Sequence, residues 1–295
     1  MARARTAAVV ASYEPDDNLL RLVDSLVALG VRPFVVDDAS PSDRAASVLD
    51  AAADRGATIV RKPVNSGIGS SLRIGTETAL SEGHSYVLTM DQDSSIGPDY
   101  VKSARDALDR LRASGRRPGL VAPGRNSGVV VRGLARSDDG LPEVKFPIQS
   151  GCLFPADALA AAGPFRDDFI MDSVDHDYAL RLRRAGFRTY AAADLDLEHN
   201  LGYPERKRFL WRSVTVLNHS PDRQYYQFRN RIVLLKEYGA SDPSWARTLA
   251  YEHLRSLARV VAFEDDRWSK VRRIARATLD GLRGQTGPRR PSKAR

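Results

Sequence analysis

Leu88-Thr89-Met90-Asp91-Gln92-Asp93-Ser94 decides how the rest of the chain is read, because an apolar run ends there in two carboxylates one residue apart. Tyr86 to Met90 is rich in apolar and β-branched residues and predicts a buried strand. Asp91 and Asp93 then fall at the strand's C-terminal edge, where open α/β sheets bind ligands. On an extended chain residues i and i+2 point to one side, so both carboxylates would face a single cation. Mg²⁺ and similar hard ions are commonly held by one or two carboxylates together with substrate phosphates. A solvated, Asp-rich turn is the plain alternative, and the flanking sequence has to choose between them.

Upstream, the chain alternates. Thr6–Ser12 predicts a first buried strand, and a loop through Tyr13-Glu14-Pro15 leads to a helix capped by Asp16 or Asp17, with Leu19, Leu22, Val23 and Leu26 at helical spacing. Pro33–Val36 predicts a second strand that runs into Asp37-Asp38-Ala39-Ser40. A helix over Asp43–Asp54 and a third strand over Gly56–Val60 follow. The loop Asn65-Ser66-Gly67-Ile68-Gly69 then leads into a helix over Ser70–Ser81. This β-α-β-α-β-α-β order predicts an α/β fold with a mainly parallel, nucleotide-binding sheet flanked by helices.

Downstream, a helix is expected over Ser103–Ala113 and a short strand over Gly119–Ala122. Val129–Arg132 and Glu143–Phe146 suggest an antiparallel extension, and Gln149–Phe154 is core-like. A helix over Asp175–Ala185 and a strand over Thr189–Ala192 precede Asp194-Leu195-Asp196-Leu197-Glu198-His199. Beyond Pro204 the composition is basic and aromatic and reads as helical. The expected organisation is an α/β domain over 1–203, divided into two halves at about residue 98. A helical extension over 204–283 and a disordered basic tail over 284–295 complete it.

The 295 residues are 42% hydrophobic and 28% charged, enough for a sizeable core. No apolar run approaches the length of a membrane span, and the N-terminus lacks a signal-peptide core, so a cytoplasmic protein is expected. The one cysteine, Cys152, excludes a disulfide framework and a thiolate metal cluster and reads as a small core residue. A formal net charge of +8 suits nucleic acid, an anionic membrane or a phosphorylated substrate.

Taken in order, Val10-Ala11-Ser12-Tyr13, Val36-Asp37-Asp38-Ala39-Ser40, Asn65-Ser66-Gly67-Ile68-Gly69, Asp91-Gln92-Asp93-Ser94 and Val174-Asp175-His176-Asp177 resemble the inverting family-two glycosyltransferases of GT-A fold. The Asp-Gln-Asp-Ser form, the Asn-x-Gly-Ile-Gly loop and Gln224–Arg231 are similar to the rhamnosyltransferase branch. That resemblance implies transfer of a sugar from a nucleotide donor, dTDP-L-rhamnose in this branch, to a glycan or lipid-linked acceptor. It also implies Mg²⁺ or Mn²⁺, and makes 1–203 a catalytic domain with a nucleotide-sugar half to about 98 and an acceptor half to 203.

Carried onto this sequence, the resemblance makes Asp38 the acceptor of a pyrimidine N3–H, with Ser12 lining the base or ribose. Asn65 and Gly67 belong to an anion-favouring loop before a helix, and Arg73 becomes a partner for the diphosphate. Asp93 is the main metal ligand, Asp91 lies nearer the ribose, and His199 is a further ligand. Asp175 takes the acceptor proton, with Asp177 in support. The family usually has an acid where this chain has Val174, and Asp172 is the candidate to replace it. Each of these residues has a plainer reading as well: a helix-capping Asp pair for Asp37 and Asp38, a tight turn for the glycines, a first-turn cap cluster for Asp175 and Asp177.

Trp211, Tyr225, Tyr226, Arg229 and Arg231 lie among interleaved basic and aromatic residues and are expected on the acceptor or membrane side, at the inner face of the plasma membrane. A nucleotidyltransferase and a basic nucleic-acid or membrane-binding module are the competing classes. The first would usually carry a Gly-rich basic signature near the first strand, which Ser12-Tyr13-Glu14-Pro15 lacks, and the second accounts only for the C-terminal half. No nucleic acid is expected as a partner.

Overall fold

The computed structural model describes residues 5–131, 138–199, 205–209 and 212–289. They divide into two compact units. One comprises residues up to Asp167 with Val174–Asn200, and the other comprises Asp168–Ser173 with the chain from Leu201 onward.

The first unit opens with β1 (Thr6–Ser12), α1 (Asp17–Ala28), β2 (Arg32–Asp37), α2 (Asp43–Asp54), β3 (Thr58–Arg61), α3 (Gly67–Ser81) and β4 (Tyr86–Asp91). Local chemistry sets the helix starts: Asp16 accepts the Asn18 amide before α1, and Ser42 accepts the Ala45 amide before α2. β1 to β4 lie parallel in the spatial order β3-β2-β1-β4, and the apolar runs of β1, β2 and β4 are buried on both faces while the edge strand β3 is only half-buried. α3 lies so close to β1 that a Cβ on Gly75 would sit 2.3 Å from Val9 Cγ1. Register places Ser12 beside Asp37 and Ala11 beside Asp91, so three strand ends meet at one edge. The connections run in opposite directions on either side of β1, so this edge is a topological switch point.

Past β4 the sheet becomes mixed. β5 (Ser94–Ile96), α4 (Tyr100–Ala113), β6 (Pro118–Asn126), β7 (Val129–Val130), β8 (Cys152–Pro155), α5 (Ala156–Ala162), α6 (Val174–Arg184) and β9 (Arg188–His199) complete the unit. β8 runs antiparallel to β4, and β5 antiparallel to β9. β9 follows β6 in parallel with two register shifts. Near the second of these, a Cβ on Gly124 would meet the Ala192 carbonyl at 2.4 Å.

The second unit holds β10 (Glu205–Phe209), β11 (Arg212–Val216), α7 (Pro221–Tyr238), α8 (Pro243–Phe263) and α9 (Arg267–Leu282). Its core joins Tyr225 and Phe228 of α7 to Val260, Ile274 and Ala277.

Several expectations need correction. The chain after Pro204 begins as an antiparallel hairpin, β10 with β11, and becomes helical only at Pro221. The strand expected over Thr189–Ala192 continues to His199, because its second half gains β5 as a partner. Glu143–Phe146 forms only an isolated bridge, from Glu143 to Tyr190. Up to Arg289 the tail is tied down: Gly287 donates its amide to the Asp168 carbonyl, and the Arg289 amide donates to the Tyr226 hydroxyl. Among the described residues no helix is long and apolar enough to cross a membrane.

Candidate active site

The edge formed by β1, β2 and β4 carries Ser12, Asp38 and Asp91, with partners the sequence did not foretell. The middle residue of Asp91-Gln92-Asp93 ties the β4 end to β1. Gln92 Oε1 accepts the Ser12 hydroxyl and the Tyr13 amide, both at 2.9 Å, and its Nε2 donates to the Tyr13 carbonyl at 3.0 Å. Gln92 and Asp93 form a turn between β4 and β5 rather than a continued strand. The same-side argument for an extended chain therefore does not apply to this pair. From the opposite side Ser150 Oγ accepts the Asp91 amide at 3.0 Å and lies 2.9 Å from Ser94 Oγ. Thr89 Oγ1 donates to the Gln149 carbonyl at 2.6 Å. Gln92 and Ser150 are legible in the sequence only as residues inside known stretches, because their roles depend on contacts with residues 80 and 59 positions away.

Asp38 is buried and already engaged. Its Oδ1 accepts the Ser66 amide at 2.8 Å and lies 2.6 Å from Lys62 Nζ, while Oδ2 accepts the Gly67 amide at 2.8 Å. An ionised carboxylate offers about four acceptor sites, so roughly one remains. Asp37 instead accepts the Ser40 amide and hydroxyl, closing the turn after β2.

The Asn65–Gly69 loop is corrected accordingly. Helix α3 begins at Gly67, with φ of +86°, and the Asp38 carboxylate takes the Ser66 and Gly67 amides that an incoming anion would use. Asn65 is exposed. Arg73 reaches Glu77 and Asp167, each at 3.2 Å, so its guanidinium has two acidic partners within the protein.

Asp175 and Asp177, in the first turn of α6, separate sharply. Asp177 is buried, 3.3 Å from Arg166 Nη1 and 3.9 Å from Arg181 Nε. Asp175 is half-buried, and its Oδ1 accepts the amide of His176. Burial pushes the Cys152 thiol well up, and the charges of Asp175 and then Asp91 push it further. Cys152 itself is the buried core residue expected, donating to the Ile148 carbonyl at 2.9 Å.

Two hard carboxylate donors at the β4–β5 turn suit a Mg²⁺ or Mn²⁺ ion that keeps water and phosphate oxygens as its other ligands. Among the described residues no group of three metal-ligating side chains occurs. His199 pairs with Ser94 through the backbone, one residue from Asp93, and its side chain lies outside the described residues.

In the second unit Asp172 adopts φ of +59° and accepts Arg223 Nε at 3.3 Å. Asn230 Nδ2 donates to the carbonyls of Met171 and Asp172, which holds this turn. The acceptor-side expectation for α7 is corrected. Tyr225 is buried with its hydroxyl on Asp280 at 2.9 Å. Arg229 is also buried, donating to Asn230 Oδ1 and to the Gly287 carbonyl. Tyr226 is half-buried beneath the Arg289 amide, and Arg231 donates to Ser256 Oγ at 3.1 Å. Tyr225 and Arg229 build the unit's interior, because a helix packed by two others has few faces left for a ligand. Trp211 lies outside the described residues.

Comparison with known proteins matches this architecture. Residues 7–148 fit the model of glycosyl transferase family 2. The dTDP-rhamnosyl transferase RfbF of Shigella flexneri is 24% identical over 293 residues, which is 95% of this chain and 96% of that protein. TarS of S. aureus superposes with a TM-score of 0.57 at 16% identity, over 88% of this chain, which spans only 44% of that larger protein. The mannosyltransferase PcManGT from Pyrobaculum calidifontis, solved with GDP-Man and Mn²⁺, gives 0.57 at 14% identity, covering 96% of this chain and 88% of the other. With the switch-point edge, the carboxylates gathered on it and these likenesses together, the chain is a glycosyltransferase of GT-A fold whose residues 7–148 match the glycosyl transferase family 2 model.

Proposed function

We propose that this glycosyltransferase moves L-rhamnose from dTDP-L-rhamnose to a glycan or lipid-linked acceptor by direct displacement with inversion. The observation that carries the reaction type is the match of residues 7–148 to glycosyl transferase family 2, on a sheet where the ends of β1, β2 and β4 meet at one edge. The donor rests on similarity to the rhamnosyl transferase over nearly the whole chain.

In this reading Asp38 receives the thymine N3–H on its remaining acceptor site, and Ser12, held by Gln92, lines the base or ribose. Asp175 accepts the proton of the acceptor hydroxyl as its oxygen bonds to the anomeric carbon, and the bond from that carbon to the diphosphate breaks. Attack opposite the leaving group inverts the configuration. Asp93, with Asp91 nearer the ribose and His199 as a further candidate, would hold a divalent cation, which when bound neutralises charge growing on the diphosphate. Arg73 would reach the diphosphate only by leaving Glu77 and Asp167. Asp177 supports Asp175 by fixing the start of α6, and Asp172 supplies the acidic residue that Val174 does not. The acceptor would be met at the cytoplasmic face of a membrane.

A thermal-shift panel of nucleotides and nucleotide sugars with and without Mg²⁺ or Mn²⁺ tests this. A ligand at about a hundredfold over its Kd stabilises the folded state by about 2.7 kcal/mol. Metal-dependent stabilisation by dTDP or dTDP-rhamnose, lost in Asp93→Ala, is the expected result. Preference for UDP compounds would assign a UDP-galactofuranose or UDP-hexose donor instead, since uracil presents the same N3–H. Stabilisation by no nucleotide would remove the reading.

A further inference from the structure

The last two helices each carry a second apolar row that nothing in the described structure covers. On α8, Tyr251, Leu254, Ala258 and Val261 follow one another at intervals of three and four, all exposed, with Tyr251 64% and Leu254 65% accessible. At about 100° per residue this row lies on one face. The buried Trp245, Leu249 and Val260 lie on the other. On α9 the row Trp268, Arg272, Ala275, Leu279, Leu282 repeats the pattern, with Trp268 73% and Leu282 57% accessible. Ile274, Ala277 and Gly281 are buried on the opposite face, and Gly281 abuts Ile232 and the Arg229 carbonyl of α7. Both helices thus spend one face on the unit's core and present a second apolar face outward.

Between residues 243 and 283 there are nine Lys and Arg against five acids, and Arg289, Arg290, Lys293 and Arg295 follow. Arg247 and Arg255 flank the α8 row, while Arg272 and Arg283 stand in or beside the α9 row. Trp, Tyr and Leu on a helix face edged with arginines suit the headgroup level of a bilayer, where rings and aliphatic chains sink and guanidinium groups reach lipid phosphates. A second copy of this chain is the poorer occupant, since a self-complementary contact would set arginine rows against arginine rows.

We propose that the outer faces of α8 and α9 form a docking surface for anionic lipid bilayer, with Trp268, Leu279 and Leu282 on one helix and Tyr251, Leu254 and Val261 on the other as its apolar contacts. This surface takes the place of the α7 residues, of which Tyr225 and Arg229 are committed to the core. It stands apart from the sugar-transfer reading, because vesicle binding and nucleotide binding are measured separately.

The experiment is co-sedimentation of the full chain with vesicles of mixed phosphatidylcholine and phosphatidylglycerol, and with phosphatidylcholine alone. The variants are the triple substitutions Trp268→Ser with Leu279→Ser and Leu282→Ser, and Tyr251→Ser with Leu254→Ser and Val261→Ser. Binding to the anionic vesicles that weakens in high salt, and falls at least about tenfold in each variant, is expected. Because the substituted side chains are exposed, thermal midpoints and nucleotide-induced shifts should stay unchanged, which separates lost docking from lost folding. Absence of binding by the unaltered chain, or equal binding by folded variants, overturns the proposal. So does a dimer in sedimentation velocity that dissociates in the variants, which would give this face to a second copy.

Discussion

Gln92 holds Tyr13 from both sides, accepting its amide at 2.9 Å and donating to its carbonyl at 3.0 Å, while the same Oε1 takes the Ser12 hydroxyl. Only an amide side chain can do this, because a carboxylate has no donor for the carbonyl. Gln92→Glu should lower stability by about 1–3 kcal/mol, read by urea unfolding, and weaken nucleotide-induced thermal shifts. An unchanged midpoint would mean that the clasp contributes nothing.

The Asp38–Lys62 pair is buried on both sides, with side chains 9% and 4% exposed. Removing one partner strands a charge, so Asp38→Asn should cost about 3–5 kcal/mol, irrespective of any nucleotide. Adding Lys62→Met should recover part of that loss. A double variant no better than the single one would show that the ion pair is not the origin. Loss of nucleotide binding in Asp38→Asn is therefore interpretable only at temperatures where the variant is still folded.

Neighbouring carboxylates in α6 should respond oppositely. Asp175→Asn leaves the fold's midpoint nearly unchanged and lowers turnover by about 10²–10⁴-fold if it removes the general base. Asp177→Asn weakens the buried contacts to Arg166 and Arg181 and lowers stability by roughly 1–3 kcal/mol. Steady-state rates beside thermal melts of both variants check this, and equal effects on both readouts would contradict the division of roles.

Gly75→Ala should destabilise by about 1–3 kcal/mol, since the new methyl would meet both Val9 methyl groups and Val36. Val9→Ala in the same chain opens space, so the two changes together should cost less than their sum. Additive losses in urea melts would place the strain elsewhere.

His253 packs on Phe228 with ring centroids 4.6 Å apart, and burial, then the nearby Arg231 charge, lowers its pKa from 6.5 to about 4. The unfolded chain therefore binds this proton more readily. The neutral ring's contribution is full above about pH 6.5 and is lost as pH falls towards 4. Unfolding free energies measured down this window should fall more steeply for the natural chain than for His253→Leu, and parallel slopes would contradict the assignment.

The sequence by itself determined the alternating strands and helices of the first half. Apolar runs of strand length, capping residues such as Asp16 and Ser42, and helical spacing are local signals that act within a few residues. It also placed Asp91 and Asp93 at a strand end. What only the tertiary structure decided was which groups face one another. Lys62 and the Ser66 and Gly67 amides occupy Asp38, Gln92 reaches back some eighty residues to Ser12 and Tyr13, and Ser150 closes on Asp91 from the turn before the antiparallel β8. None of these contacts has a signature in either partner's neighbourhood.

The C-terminal region shows the same limit. Aromatic and basic residues at helical spacing look alike whether the face is buried or exposed. Packing under α8 and α9 made Tyr225 and Arg229 interior, and left Trp268 and Leu254 facing outward. Composition fixes what a helix face is made of, while the neighbours it packs against decide whether that face meets protein or solvent.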